Sequence, residues 1–366
     1  MLSDGAIKDA LLDGSLAIQP FDIERIGANS YDIEIERIFR VKLPKFRRNT
    51  RDAAKMAKAR YARRAFVDRF IPRIGIEQFI DQKCGKYEGV MEPDDLYIGM
   101  SREKIYSGRP FDITTRSSPA RKGVELVPQL KPFKPENQTP QHAYFFMRTM
   151  DTTCEVPEGR RLSQLVVDPT KPASQEDLKD MLKRGKLQIE SDRLSIEANP
   201  REPWLSYAQL HENSLILRLG RVLKRYNGKP MSIDTEDDSC FEKIDLRDFR
   251  DKRERDYELR PGQFYLGESY EAVGLPDDYA GMLKTIYEPW LRANFNSYAP
   301  LINGGAPLHC IVYEFNTPGV IRVSEWLPIC GLDLHFLGQA AELPYTKTGR
   351  YIGQKGVQTS LAHNGL

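Results

Sequence analysis

Arg116-Ser117-Ser118-Pro119-Ala120-Arg121-Lys122-Gly123 packs two adjacent hydroxyls, a proline and flanking cations into one short stretch. Pro119 sets φ to about −65° and suits a tight turn after an extended strand. Such a turn can hold both hydroxyls and the Arg121 guanidinium in one concavity, where phosphate oxygens or a carboxylate would be welcome. The same composition also occurs in solvated loops. The chemistry therefore depends on what else the chain brings to it.

The totals bound the answer. A chain of 366 residues is long enough for two ordinary domains. Its 40% hydrophobic and 29% charged content are those of a soluble globular protein. The balance of 54 basic and 52 acidic residues leaves +2, so no global field calls for nucleic acid or a membrane. No run approaches the roughly 18 apolar residues of a membrane span. Met1-Leu2-Ser3-Asp4-Gly5 lacks the basic-then-apolar layout of a signal peptide, and a cytoplasmic location is expected. The five cysteines, Cys84, Cys154, Cys240, Cys310 and Cys330, are scattered and form no Cys-x-x-Cys pair. Reduced thiols are expected, with neither a zinc site nor a disulfide framework.

Apolar spacing predicts an opening helix over Ile7–Leu16, capped by Ser3 or Asp4 and closed near Gly14. Strict alternation from Tyr31 to Ile35 predicts a half-buried strand. Between Arg40 and Arg73 there are thirteen Lys or Arg against two Asp. Ala54, Met56, Ala57, Tyr61 and Phe66 give that insert (about 42–75) an apolar stripe. A helix docked on its own domain is favoured there over one that binds nucleic acid. Short strands follow at Leu96–Met100, Phe111–Thr115, Val124–Leu130, His142–Arg148 and Leu162–Val167, the rhythm of an all-β barrel or sandwich. Pro169, Pro172 and Ser174 form a linker.

Beyond the linker the beginning repeats. Asp9 to Ile18 aligns without a gap on Asp180 to Ile189, with Asp, Leu, Gly and Leu recurring in order, and Asn29-Ser30 is echoed by Asn213-Ser214. A unit of roughly 170–190 residues is duplicated. The mixed-charge segment Asp234 to Asp256 is expected to be a solvated excursion. Leu259–Gly267 and Leu275–Gly281 read as turns feeding strands, and Leu308–Phe315 as a strand carrying Glu314.

Taken together these stretches resemble the deoxycytidine triphosphate (dCTP) deaminase family, within the trimeric dUTPase-like superfamily. The resemblance rests on the opening helix with Asn29-Ser30-Tyr31-Asp32-Ile33, on Leu259–Gly267 with Leu275–Gly281, and on Arg116–Gly123. Tyr313-Glu314-Phe315-Asn316 and the tail Gly349-Arg350-Tyr351-Ile352-Gly353-Gln354-Lys355-Gly356 complete it. It implies a mainly β fold of two tandem β-clip (distorted jelly-roll) lobes with peripheral helices. The lobes would span 1–170 and 174–366, with a C-terminal lid over 345–360. The motifs are split between them. Lobe one keeps the serines but has Phe146-Met147 where the glutamate belongs; lobe two keeps Glu314 but reads Glu288-Pro289-Trp290-Leu291-Arg292 where the serines belong. Because related sites form between subunits, one composite site from both lobes is expected, in a homo-oligomer and within or between chains.

By the same resemblance Glu314 is the catalytic base, aided by Ser117, Ser118 and Arg121. Arg116, Lys122, Ala299, Arg350, Tyr351 and Gln354 would hold the nucleotide. The implied reaction is hydrolysis of dCTP to dUTP and ammonia, supplying dUTP for thymidylate synthesis. Zinc would be absent, and Mg²⁺ would arrive with the triphosphate. One departure bears on this. The family's Asp-Pro-Gly turn is replaced here by Asn303-Gly304-Gly305, which counts against a dUTP pyrophosphatase that needs the aspartate. That enzyme, a bifunctional one, and a binding module without catalysis remain the alternatives.

Overall fold

The computed structural model describes residues 1–42, 75–93, 95–127, 139–149, 151–168, 172–190, 210–211, 213–235, 237–251, 256–285, 299–317 and 320–348. The expected basic helix lies outside them. So does the expected C-terminal lid beyond residue 348.

Lobe one begins with α1 (Asp4–Leu12), where the Ser3 hydroxyl accepts from the Ala6 N–H at 3.3 Å. Lobe two begins with α4 (Gln175–Lys183), capped by Ser174 in a reciprocal box with Asp177. Ser3 and Ser174 stand at the same place in the duplication, as do Gly14 and Gly185, both left-handed just past the helix ends. The helix was expected over Ile7–Leu16. It starts earlier because the Ser3 cap sets its first turn.

The strands of lobe one are β1 (Leu16–Gln19), β2 (Ser30–Val41), β3 (Cys84–Lys86), β4 (Tyr97–Ser107), β5 (Phe111–Thr115), β6 (Val124–Val127), β7 (Gln141–Thr149) and β8 (Arg161–Val167). Those of lobe two are β9 (Gln188–Glu190), β10 (Ser214–Tyr226), β11 (Phe241–Asp245), β12 (Tyr265–Gly274), β13 (Tyr279–Thr285), β14 (Leu301–Ile302), β15 (His309–Phe315) and β16 (Pro328–Phe336). The main path of the first sheet runs β5-β8-β2-β4-β7-β6, with β1 on β4 and β3 on β2; the second runs β9-β12-β10-β16-β13-β14, with β15 on β12 and β11 on β10. The fold is therefore mainly β in two tandem lobes.

Register matches the lobes residue by residue. Ile98 faces Phe146 across β4 and β7, and Leu266 faces Glu314 across β12 and β15; one step on, Gly99 faces Phe145 and Gly267 faces Tyr313. Both ladders break just beyond, at a serine corner. Ser101 Oγ donates to Glu103 O and accepts from Ala143 N, while Ser269 Oγ donates to Glu271 O and accepts from Ile311 N. Each corner glutamate is buried against an arginine, Glu103 with Arg25 and Glu271 with Arg218.

Each lobe has its own core, around Tyr31, Ile33, Ile105 and Leu165 in the first and Leu217, Tyr265, Phe315 and Leu332 in the second. A third core belongs to both: Ala120, Val124 and Met147 pack with Tyr226, Phe264, Leu266 and Ala299. A small sheet also crosses the boundary, with Cys154–Glu155 between Val90–Met91 and Met231–Ser232. The lobes are therefore held together by buried apolar surface.

Two expectations need correction. Asp234 to Asp256 is not a solvated excursion, since Cys240, Phe241, Ile244 and Leu246 are buried and β11 pairs with β10. Its charges cap the outside instead, as in Arg221–Asp245 and Arg225–Glu242. The serine motif is likewise no simple turn. Ser117–Ala120 forms a single helical turn, α3.

The two ends of the described chain meet at Asp4, whose buried carboxylate accepts from the Glu342 and Leu343 N–H groups at 2.9 and 2.8 Å. Asp4→Ala strands both donors and should cost about 1–3 kcal/mol. Urea denaturation would measure that loss as a lower midpoint with an unchanged slope.

Candidate active site

The serine segment is placed by its neighbours on both sides. β5 delivers Arg116, and α3 ends with Arg121 N donating to Ser117 O at 3.0 Å. Gly123 then turns the chain at φ +77°, where an added Cβ would lie 2.5 Å from Thr152 Oγ1. Only glycine suits that position on both counts. The turn sends consecutive cations in different directions. Arg121 points into a cleft between the lobes. Lys122 is buried elsewhere, and its ammonium donates to Thr235 O of lobe two at 2.8 Å.

β15 brings Glu314 to the same cleft from the other lobe. Glu314 is 1% exposed and Arg121 4%, with Arg121 Nε 3.7 Å from Glu314 Oε1. That separation makes an ion pair without a direct hydrogen bond. Burial pushes the Glu314 carboxyl up to about 7, against the opposing pull of Arg121 and of a backbone hydrogen bond from Ala299. Desolvation outweighs the cation. The buried Oε2 has no hydrogen-bond partner among the described residues. It is aimed where a bound molecule could supply one.

The cleft is walled by apolar Leu283, Leu301, Ile302 and Ile311, with Ser117, Arg121, Asn303, His309, Cys310, Glu314 and Tyr345 supplying polar atoms. A wider trench adjoins it and shares Ser117, Asn303 and Tyr345. Ser30, Arg25, Arg116, Ser118, Arg161 and Gln164 line the trench. Arg116 is anchored there by Asp32, at 3.1 Å, and by the Arg161 carbonyl. A cleft with both apolar and polar walls, opening into a trench where Arg25, Arg116 and Arg161 stand beside Glu24 and Asp32, can take a flat ring bearing an anionic tail.

Of the residues expected at a site, Ser117, Arg121, Ala299 and Glu314 meet in the cleft, and Arg116 and Ser118 line the trench. Lys122 lines neither; it is a strut between lobes. Arg350, Tyr351 and Gln354 lie outside the described residues. His309, Cys310, Tyr345, Arg25 and Arg161 were not expected. His309 stacks on Tyr345 with ring centres 6.4 Å apart, and burial lowers its pKa, so the imidazole is neutral at pH 7. A histidine opening an otherwise apolar strand was the one signal in the sequence that marked it.

No group of three or more His, Cys, Asp or Glu among the described residues could hold a metal ion. No helix among them is long and apolar enough to cross a membrane.

The position of the carboxyl equilibrium can be checked directly. Arg121→Met removes the cation that favours the charged form, so Glu314 should titrate above about 7 in the variant. The carboxylate stretch, followed by infrared difference spectroscopy against pH, should appear at higher pH than in the unaltered protein.

Comparison with known proteins agrees with this architecture. A family model described as dCTP deaminase-like matches residues 1–170 and again 173–293. A protein of Pseudarthrobacter chlorophenolicus named "dCTP deaminase, dUMP-forming" is 29% identical over 185 residues, which are 48% of this chain and 91% of that protein. One of the same name from Dictyoglomus thermophilum is 27% identical over 198 residues, 51% of this chain and 92% of that one. Nearly the whole of each relative thus corresponds to about half of this chain. The crystal structure of 2'-deoxycytidine 5'-triphosphate deaminase from Agrobacterium tumefaciens superposes with a TM-score of 0.65 at 17% identity, covering 93% of this chain and 96% of that one. Its fold therefore extends over both lobes. With two successive matches to one family model and a matching two-lobed fold, the chain belongs to the dCTP deaminase-like family, in a tandem form.

Proposed function

We propose that this chain deaminates dCTP hydrolytically in the cleft between its lobes. The observation that carries the reading is the buried Arg121–Glu314 pair, one partner from each lobe, with a carboxyl poised near neutrality. A general base works best when its pKa lies near the working pH. The cytosine ring occupies the apolar cleft, and the phosphates lie along the trench by Arg116, Ser118 and Arg161. Mg²⁺ enters with the triphosphate, whose oxygens bind it.

Glu314 takes a proton from a water held by Ser117 and a main-chain carbonyl, and the water oxygen forms a bond to C4. The carboxyl passes that proton to N3. The hydroxyl now on C4 gives up its proton through Glu314 to the amine. The C4–N4 bond breaks, ammonia leaves, and a carbonyl remains at C4. Arg121 stabilises the carboxylate whenever it is charged, and no zinc is required in this scheme. Arg350, Tyr351 and Gln354 of the tail contact the nucleotide.

On this reading the products are dUTP and ammonia, because Asn303 offers no carboxylate at the junction of cleft and trench. A second reading adds cleavage of the triphosphate to give dUMP, and the names of the relatives, "dCTP deaminase, dUMP-forming", favour it.

The test is ammonia release from dCTP with the nucleotides separated. Turnover should rise with pH through about 7, where Glu314 loses its proton. Glu314→Gln should lower kcat by roughly 10²–10⁴-fold while nucleotide binding persists. dUTP as the end product supports the first reading, and dUMP with pyrophosphate the second. Intact dCTP beside cleaved dUTP would make the protein a pyrophosphatase and defeat the deaminase assignment.

A further inference from the structure

The two lobes meet head to tail rather than face to face. The segment after the lobe-one serines, Ala120 to Leu126, is buried against Tyr226, Phe264 and Leu266 of lobe two, beside Glu314. Register identifies the corresponding face on lobe one. Arg40 faces Tyr97 as Arg225 faces Tyr265, so Val41 stands for Tyr226, and Ile98 for Leu266. Phe146 stands for Glu314 by the same pairing. Head-to-tail contacts leave one such face over for a further lobe unless something ends the series.

On lobe one that face is covered. The helix α2 (Ile76–Lys83) sends Phe79, which is fully buried, onto Val41, Cys84 and Ile98, and Ile76, Ile80 and Phe146 pack around them. In lobe two the described residues of the connection between the matching strands β10 and β11 (227–240) form no α-helix; Met231–Ser232 reaches across to pair with lobe one instead.

We infer that α2 is a resident plug: it occupies on lobe one the place that the serine segment occupies on lobe two. It packs against the counterpart of the active site, leaving Phe146 half-buried, and ends the series of lobe contacts. Each chain then has one nucleotide site, built from its own two lobes. The count of one rests on the deaminase reading, whereas the plug itself does not.

Two measurements test the inference separately. Calorimetric titration of the full chain with dCTP should give one nucleotide per chain, and still one for Phe146→Glu, because α2 covers the restored carboxylate. Two nucleotides in either protein would overturn the plug. No binding at all would defeat the deaminase reading alone. The plug is then judged by maleimide labelling of Cys84, mapped by mass spectrometry. Phe79→Ala should label Cys84 about tenfold faster through easier local opening, with dCTP turnover unchanged. An unchanged labelling rate, in a variant whose circular dichroism shows it folded, would overturn the inference. Loss of turnover in that folded variant would overturn it too, since it would make α2 part of the composite site.

Discussion

The structure depends on a charge pair that neither lobe could bury alone. Glu314 sits on a strand of the second lobe with almost no access to water, and the cation that makes its charge tolerable arrives from the first lobe on Arg121. A buried carboxylate without a partner stays protonated. Docking of the lobes therefore sets the chemistry of the site as well as its shape. The shared core of Ala120, Val124, Tyr226, Phe264 and Leu266 and the Lys122–Thr235 contact fix that docking close to the pair. Because burial outweighs the pull of a guanidinium 3.7 Å away, the carboxyl is held near neutrality and remains able to exchange a proton.

Duplication explains why such a site can be asymmetric. Strand register, the serine corners at Ser101 and Ser269 and the helix caps at Ser3 and Ser174 are retained in both lobes, since each lobe needs them to fold. The residues of the site are needed only once. Phe146 occupies the register position of Glu314 and contributes packing in place of a charge. In the same way, the connection between the second and third strands of each lobe has taken two forms, a helix over lobe one and a hairpin that grips the neighbour from lobe two.

Much of this was legible in the residues. Apolar runs between Gly and Pro breaks located β5 to the residue and β7 and β8 to within a residue at each end, whereas alternation over Tyr31–Ile35 marked only the first part of β2. The repeat of helix and strand revealed the duplication, and the split motifs forecast a composite site. Proximity in three dimensions was not legible. Nothing local distinguishes Arg121 from Lys122, yet one faces the cleft and the other braces the lobes. The charges from Asp234 to Asp256 masked a buried strand, since Phe241, Ile244 and Leu246 are too irregularly spaced to announce one face. The raised proton affinity of Glu314 follows from burial by another lobe, which no spacing within its own strand records.

The central claim, that one chain supplies both halves of its site, is tested most directly by mixing two inactive variants. Arg121→Ala lacks the first half and Glu314→Gln the second. If the halves meet within a chain, the mixture will show only the sum of the two residual activities, however long the proteins are left to exchange. Recovery toward about a quarter of the original turnover, the share expected from random pairing of lobes between chains, would contradict the account.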